Sequence, residues 1–203
     1  LVMGDMPLGK RAYWPIYAAA ERLGLPIGIH AGSNYHNPPT SVGWGSYHIE
    51  DYVAQAQAFQ TQLTSLIVEG VFARHPALKM VMLESGWSWL PSYLWRLHKF
   101  WRGVRMETPW VDRSPQEIVR SNIRFSLQPI DAPPDPAILD RLFDHMQSDE
   151  LLLFSTDYPH WQFEGDQVLP EGISPDLVRK IMVDNPHATY PRLKQPVAKE
   201  TTP

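Results

Sequence analysis

The chain has 203 residues, a formal net charge of −4 and no cysteine. This length allows one domain with a hydrophobic core, the acidic charge offers no basic surface to nucleic acid, and the missing thiols exclude disulfides and thiolate metal sites. No segment approaches the roughly 20 apolar residues of a membrane span, and the first residues lack the basic and apolar regions of a signal peptide. We therefore expect a cytoplasmic protein that binds neither nucleic acid nor membranes.

Short apolar strands alternate with amphipathic helices along the chain. The helices are recognised by apolar residues at three- and four-residue spacing. In chain order we predict a strand end at 1–3, a helix at 8–23, a strand at 27–31, a long loop at 32–47, a helix at 49–74, a strand at 78–83, helices at 89–104 and 114–121, a strand at 123–127, a helix at 136–146, a strand at 151–156 and a helix at 174–183. Gly24 is predicted to end the first helix, and Ser114 and Asp135 to cap later ones. The domain would occupy 1–193, with 194–203 as a flexible tail.

This alternation predicts an α/β fold, in which a parallel sheet is covered by helices. No glycine-rich phosphate-binding motif follows any strand, which disfavours a nucleotide-binding sheet. Polar residues follow the strands instead, as they do around the rim of a β/α barrel. A complete barrel needs about 250 residues, so about four parallel strands with outer helices would form half of a (β/α)8 TIM barrel. Two copies that pair through the open faces, or a second chain that supplies the other half, are less favoured alternatives.

The polar residues at the strand ends are His30, Glu84, Gln128 and Asp157. An imidazole and a carboxylate at one rim are two ligands of a divalent ion, whereas a catalytic zinc takes three protein ligands and a water. We therefore predict one divalent ion with His30 and Asp157 as metal ligands, which this chain alone should bind weakly or not at all. Asp157 and Glu84 are the predicted catalytic residues, because either carboxylate can accept a proton from an activated water.

Each of these residues also has a structural explanation. His30 could be a core histidine, and Asp157 could begin the turn at Tyr158. Glu84 could interact with the amino terminus of the next helix. Gln128 is explained equally well as a hydrogen-bonding residue at a strand end and as a substrate contact.

The loops after the strands carry further candidates for substrate binding or for support of the metal ligands. His160 lies three residues after Asp157 and is predicted to support it. Trp44, Trp87 and Trp161 all follow strands and could form an apolar lid or an aromatic platform for a substrate.

Four motifs occur in a fixed order along the chain: Gly-Ile-His-Ala-Gly at 28–32, Gly-Val-Phe-Ala-Arg-His-Pro at 70–76, Glu-Ser-Gly-Trp at 84–87 and Phe-Ser-Thr-Asp-Tyr-Pro-His at 154–160. In this combination the chain resembles the carboxyl-terminal half of the amidohydrolase-related metal-dependent enzymes, over roughly residues 1–193. That family contains TIM-barrel hydrolases and non-oxidative decarboxylases, such as aminocarboxymuconate-semialdehyde decarboxylase and the resorcylate decarboxylases.

The resemblance implies that His30 is the metal-binding histidine of the family's fifth strand and Asp157 the metal-binding aspartate of its eighth. Zinc is the first choice of ion and manganese the second. The family's first strand supplies a His-x-His pair, which occurs nowhere in this sequence. We therefore expect the amino-terminal half of the barrel to belong to the same gene product. Family members are often dimers, so a homodimer is expected here as well.

Glu84 stands where the decarboxylases of the family have a histidine beside the metal-bound water. This difference favours a metal-dependent hydrolase that acts on a small, aromatic or carboxylated substrate through a metal-activated water. The alternatives are a non-oxidative decarboxylase of the same family and a catalytically silent fragment that serves assembly. Divalent metal in the full-length protein would separate the two enzymes from the silent fragment.

Overall fold

Four parallel strands form a sheet in the order in which they occur along the chain. The computed structural model describes residues 4–32, 36–161, 163 and 165–193, so the strand end predicted at 1–3 and the tail predicted at 194–203 lie outside the described residues. The strands are β1 Ile27–His30, β2 Met80–Leu83, β3 Ile123–Ser126 and β4 Leu152–Leu153. A doubly wound sheet interrupts the sequential strand order, whereas a β/α barrel keeps it. The predicted half of a TIM barrel is therefore confirmed.

Helices connect the strands and cover one face of the sheet. They are α1 Trp14–Leu23, α2 His48–Val68, α3 Val71–Arg74, α4 Leu90–Gly103, α5 Pro115–Asn122, α6 Pro136–Met146, α7 Pro175–Arg179 and α8 Asn185–Thr189. Short 3-10 turns lie at Arg11–Tyr13 and Arg105–Glu107, and a π-helical turn at Lys180–Asp184 joins α7 to α8. Among the described residues, no helix is long and apolar enough to cross a membrane.

The predicted helix ends are confirmed by their backbone contacts. Gly24 ends α1 with φ of 61°, a left-handed conformation that glycine adopts without steric cost. The Ser114 side chain accepts a hydrogen bond from the backbone N–H of Glu117, and the Glu117 carboxylate accepts one from the N–H of Ser114. The Asp135 carboxylate accepts a hydrogen bond from the N–H of Ala137 at the start of α6. These caps satisfy backbone donors that have no partner within the helix.

The long helix predicted at 49–74 is wrong, because it is two helices separated at Gly70. Gly70 has φ of 81°, and a Cβ atom at this position would lie 2.5 Å from Cδ1 of Trp110. The turn at Gly70 therefore lets the side chain of Trp110 pack directly against the backbone, and it redirects the chain into α3.

The strand predicted at 151–156 is also wrong in length, because β4 contains only Leu152 and Leu153. The N–H of Phe154 leaves the sheet and donates to the carbonyl of Ile181 at 3.1 Å. Asp157 therefore does not occupy the last position of a strand, as its sequence context suggested. It lies in the loop that follows β4, four residues after the last strand residue.

The hydrophobic core lies between the helices and one face of the sheet. Alternate strand residues such as Met80, Met82 and Phe125 belong to this core and are fully buried. His30 pairs with Leu83 in register, and both lie one position out of phase with the core-facing residues. The side chain of His30 therefore projects from the other face, which is the inner face of the barrel arc.

Candidate metal and acid-base centre

His30 and Glu84 meet where β1 and β2 end. His30 is the last residue of β1, and Glu84 follows the last residue of β2, whose register partner is His30. Nε2 of His30 lies 2.7 Å from Oε1 of Glu84. The His30 side chain is 55% exposed, which is incompatible with a core histidine, and the Glu84 side chain is 20% exposed. Parallel-strand geometry thus brings together two residues that are 54 positions apart in sequence.

The backbone fixes the orientation of the His30 ring. Nδ1 of His30 lies 2.8 Å from the carbonyl oxygen of Ala31, which can only accept a hydrogen bond, so Nδ1 carries a proton. Nε2 then faces Glu84 at a distance that requires a shared proton between nitrogen and carboxyl oxygen. Nε2 is therefore directed at the rim between the ends of β1 and β2, beside the Glu84 carboxyl.

Asp157 completes a row of ionisable groups with Glu84 and His160. The carboxyl groups of Asp157 and Glu84 share a hydrogen bond, and Nδ1 of His160 lies 3.4 Å from Oδ2 of Asp157. Burial raises the pKa of the Glu84 carboxyl, the charge of His30 opposes this shift, and the charge and hydrogen bond of Asp157 raise the pKa further. Glu84 therefore holds a proton more readily than an isolated glutamate does.

The backbone at both acidic residues is left-handed. Glu84 has φ of 57° and Asp157 has φ of 56°, and the only other non-glycine residue with positive φ in the described part of the chain is Gln147, at the end of α6. Such conformations are costly for residues with a Cβ atom and often occur at functional sites. The turns aim both carboxyl groups at the same place, although the residues belong to different loops.

A line of hydrogen bonds below the rim supports Glu84. Its N–H donates to Oγ of Ser126 at 2.9 Å, and the Ser126 hydroxyl donates to the carbonyl of Gln128 at 2.9 Å. The N–H of Gln128 donates to Oγ of Ser155 at 3.1 Å, two residues before Asp157. The Gln128 side chain is buried, so the structure places this predicted substrate contact beneath the surface of the rim.

Trp87 does not contribute to an exposed aromatic platform, so its sequence interpretation requires correction. Its side chain is fully buried, stacks on Phe143 with ring centroids 5.5 Å apart, and donates from Nε1 to the carbonyl of Leu127. The carboxylate of Asp131 accepts hydrogen bonds from the backbone N–H groups of Trp87 and Ser88 and turns the ring into the core. Asp131 was missed in the sequence, because it contacts residues 44 positions away.

The other two tryptophans are exposed at the rim. Trp44 lies in the loop between β1 and α2 and Trp161 in the loop after β4, with 59% and 74% of their surfaces exposed. Nε1 of Trp161 donates to the hydroxyl of Tyr52 on α2 at 3.1 Å, and the two rings meet edge to face. Sequence reasoning missed Tyr52, because this contact joins α2 to the loop after β4, and the two are 109 residues apart in sequence.

The donor atoms present fit a divalent ion in part. An imidazole that is hydrogen-bonded through Nδ1 to a backbone carbonyl has the orientation usual for a histidine that ligates through Nε2. Asp157 offers carboxylate oxygens on the same rim as His30 and Glu84. Within the described residues, however, no group of three or more histidine, cysteine or carboxylate side chains has an arrangement that could hold a metal ion.

The match to known families agrees with this arrangement of residues. The family model described as amidohydrolase matches residues 1–192. The chain belongs to the amidohydrolase family. Within the family's fold, the row formed by His30, Glu84, Asp157 and His160 lies at the rim where β/α barrels place their active sites.

Several solved structures are similar to this amidohydrolase over about half of their own length. An amidohydrolase from Mycobacterium avium subsp. paratuberculosis K-10 is 27% identical, with a TM-score of 0.66 over 90% of this chain and 46% of that one. A 2,6-dihydroxybenzoate decarboxylase from Rhizobium is 19% identical, with a TM-score of 0.70 over 93% and 58% of the two chains. A dihydroxybenzoic acid decarboxylase from Polaromonas sp. JS666, with bound manganese and the inhibitor 2-nitroresorcinol, is 20% identical, with a TM-score of 0.65 over 92% and 55%. No curated protein matches the chain.

Proposed function

We propose that the protein is a metal-dependent hydrolase that acts on a small, aromatic or carboxylated substrate. The observation that carries this proposal is the row of ionisable groups at the rim, in which two carboxyl groups lie beside a predicted metal ligand. Nε2 of His30 lies 2.7 Å from Glu84, and Glu84 shares a hydrogen bond with Asp157. Adjacent groups that exchange a proton are what hydrolysis needs, because the attacking water must lose protons and the leaving group must gain one.

His30 and Asp157 are the residues that would hold a divalent ion, with zinc as the first choice and manganese as the second. A bound divalent ion acts as a Lewis acid and lowers the pKa of a water ligand to about 7. Catalytic zinc usually has three protein ligands, so further ligands would come from outside the described residues. The manganese bound to the Polaromonas decarboxylase supports a divalent ion in this protein as well.

Each residue of the row has a distinct task in this proposal. His30 is oriented by its contact with the Ala31 carbonyl, so its Nε2 faces the rim, where it would ligate the ion. Glu84 takes up and returns a proton, and partial burial favours its protonated form. His160 lies beside Asp157, with Nδ1 3.4 Å from Oδ2, and limits the positions that the carboxylate can occupy. The exposed rings of Trp44 and Trp161 offer an apolar surface to the substrate.

A non-oxidative decarboxylase is the second candidate. The similarity in fold to two dihydroxybenzoate decarboxylases favours it, and so does the raised pKa of the Glu84 carboxyl. Decarboxylation replaces a carbon–carboxylate bond with a carbon–hydrogen bond, so it needs a proton donor beside the reacting carbon. Glu84 can supply that proton directly. The hydrolase and the decarboxylase would therefore use the same row of residues. In the hydrolase Glu84 accepts a proton from water, and in the decarboxylase it donates a proton to carbon.

The test begins with elemental analysis of the intact purified protein, followed by two assays. One measures hydrolysis of esters, lactones and amides of small aromatic acids, and the other measures carbon dioxide release from dihydroxybenzoates. We expect a divalent ion and hydrolysis, both lost in His30→Ala and Asp157→Asn and both kept in the matched control Asp144→Asn on α6. Carbon dioxide release without hydrolysis would replace the first candidate with the second. Absence of both metal and activity would favour a catalytically silent assembly subunit.

A further inference from the structure

A polar cavity lies at the opposite end of the sheet from the candidate metal centre. It has a volume of about 490 Å³ and lies at the amino-terminal ends of β2, β3 and β4. Three cationic side chains, Lys79, Arg120 and Arg124, line it together with Asp149 and Glu150. The proposed reaction uses none of these residues, so their clustering needs a separate explanation.

Arg124 is the unusual member of this cluster, because its guanidinium group is buried with one edge unbonded. Only 3% of the residue is exposed. Nη1 donates to the carbonyls of Arg120 and Ile123 at 3.0 and 2.7 Å. Nη2 lies 3.5 Å from a carboxylate oxygen of Glu150, which is too long for a good hydrogen bond, and the buried Nε has no hydrogen-bond partner. Nε and Nη2 form the edge of a guanidinium that binds two oxygens of a carboxylate or phosphate at once.

The charge around this edge is positive. The Asp149 carboxylate is already paired with Lys180 at 2.8 Å. Glu150 is therefore the remaining carboxylate of the cavity, and its side chain is 61% exposed to water. It faces the three cations Lys79, Arg120 and Arg124, which leaves two positive charges without a counterion. Burial lowers the pKa of the Lys79 ammonium and the charge of Arg124 lowers it further, as expected for cations held close together.

Capping of α5 accounts for only part of this arrangement. Nζ of Lys79 donates to the carbonyl of Ser121, and Nη1 of Arg124 donates to the carbonyl of Arg120, both at the carboxyl end of α5. Cations at the end of a helix stabilise its dipole. That function uses Nη1 of Arg124 and leaves Nε without a hydrogen-bond partner and Nη2 with only the 3.5 Å contact to Glu150. A buried cation with unused donors is costly unless an anion pairs with it.

We infer that this cavity is a binding site for a small oxyanion, whose phosphate or carboxylate oxygens pair with the Nε–Nη2 edge of Arg124. Lys79 and Arg120 supply the remaining positive charge. The site is separate from the candidate metal centre, since it lies at the amino-terminal rather than the carboxyl-terminal ends of the strands. It therefore does not depend on which reaction the protein catalyses.

The test is thermal unfolding of the intact protein in inorganic phosphate, compared with sodium chloride at equal ionic strength. We expect phosphate to raise Tm saturably by about 3–6 °C, because a ligand that binds the folded state stabilises it. Arg124→Met should abolish this rise, and Arg120→Gln should weaken it. The matched control Arg22→Met, on the exposed surface of α1, should leave it unchanged. A parallel titration with acetate, repeated in Arg124→Met to remove any contribution from the candidate metal centre, distinguishes a carboxylate site from a phosphate site.

Two results would overturn the inference. One is a phosphate effect that is linear and equal in Arg124→Met and Arg22→Met, since excluded salts stabilise proteins without a site. The other is no response to either anion in the unaltered protein, which would mean that the rest of the protein fills the Arg124 edge. If Arg124→Met fails to fold, calorimetric titration of Lys79→Met with phosphate decides instead, because loss of heat there supports the site and unchanged heat contradicts it.

Discussion

The two ends of the sheet use buried polar residues in different ways. At the amino-terminal ends of the strands, side-chain amides satisfy backbone carbonyls, as Asn122 does for Pro76 and Leu78 and Asn185 does for Asp149 and Leu152. At the carboxyl-terminal ends, carboxyl groups lie beside imidazoles and beside each other. The first arrangement ties backbone carbonyls to side-chain donors, whereas the second places acidic and basic side chains in contact with one another. The difference predicts that one end determines stability and the other determines chemistry.

The largest effect should come from Asp157→Asn, which removes a charge and keeps the shape. Asparagine tolerates a left-handed backbone, so the φ of 56° should be retained. We expect kcat to fall by at least about 10²- to 10⁴-fold, the usual contribution of a group that transfers a proton, because the variant also loses a predicted metal ligand. The free energy of unfolding should change by less than about 1 kcal/mol, as at sites outside the core. Steady-state kinetics and urea unfolding of the same preparation measure both quantities. A variant that keeps the original rate would remove Asp157 from the chemistry.

Trp87 tests whether burial, and not position along the strand, decides a residue's task. It follows β2 at the carboxyl-terminal end of the sheet (the chemical end), yet its ring lies in the core. Trp87→Leu should lower the free energy of unfolding by about 3 kcal/mol, because it leaves a cavity against Phe143. KM should change little in the molecules that remain folded. Trp161→Leu is the matched control, and its exposed ring should cost less than about 0.5 kcal/mol of stability. A raised KM with unchanged stability in Trp87→Leu would restore its assignment to the substrate platform.

Local sequence signals predicted the elements and part of the site, and long-range contacts account for what was missed. The caps at Ser114 and Asp135 depend on residues within three positions, so they were predictable from the sequence. The proximity of His30 and Glu84 could be predicted from the rule that parallel strands end at one rim. The length of β4 could not be predicted, because the N–H of Phe154 bonds to the carbonyl of Ile181 rather than to the sheet.

Asp131 and Tyr52 could not be found in the sequence for the same reason. Asp131 holds the turn at Trp87, 44 residues away, and Tyr52 bonds Trp161, 109 residues away. Neither residue lies in a motif or at a strand end. The three-dimensional structure alone shows that these polar side chains connect separate loops at the chemical end of the sheet.

Asn122→Ala tests the stabilising end of the sheet. The side chain is fully buried, and its amide donates to the carbonyls of Pro76 and Leu78 at 3.0 and 2.7 Å. Its loss should lower the free energy of unfolding by about 2 kcal/mol, because two buried carbonyls lose a donor. The rate per folded molecule should stay the same. Ser121→Ala, the exposed neighbour, is the control and should be neutral. A loss of kcat without a loss of stability in Asn122→Ala would contradict the division between the two ends.

Tyr52→Phe should give the smallest effect, because it removes one partly exposed hydrogen bond at the chemical end. Its hydroxyl orients Trp161, and such a bond contributes about 0.5–1 kcal/mol. If Trp161 binds the substrate, KM should rise by about two- to fivefold while kcat stays constant, since orientation affects binding and leaves the proton transfer untouched. Tyr158→Phe is the control, because it alters an exposed ring in the loop that carries Trp161, and it should leave KM unchanged. A fall in kcat in Tyr52→Phe would instead connect Tyr52, through Trp161 and the adjoining His160, to the carboxylate of Asp157.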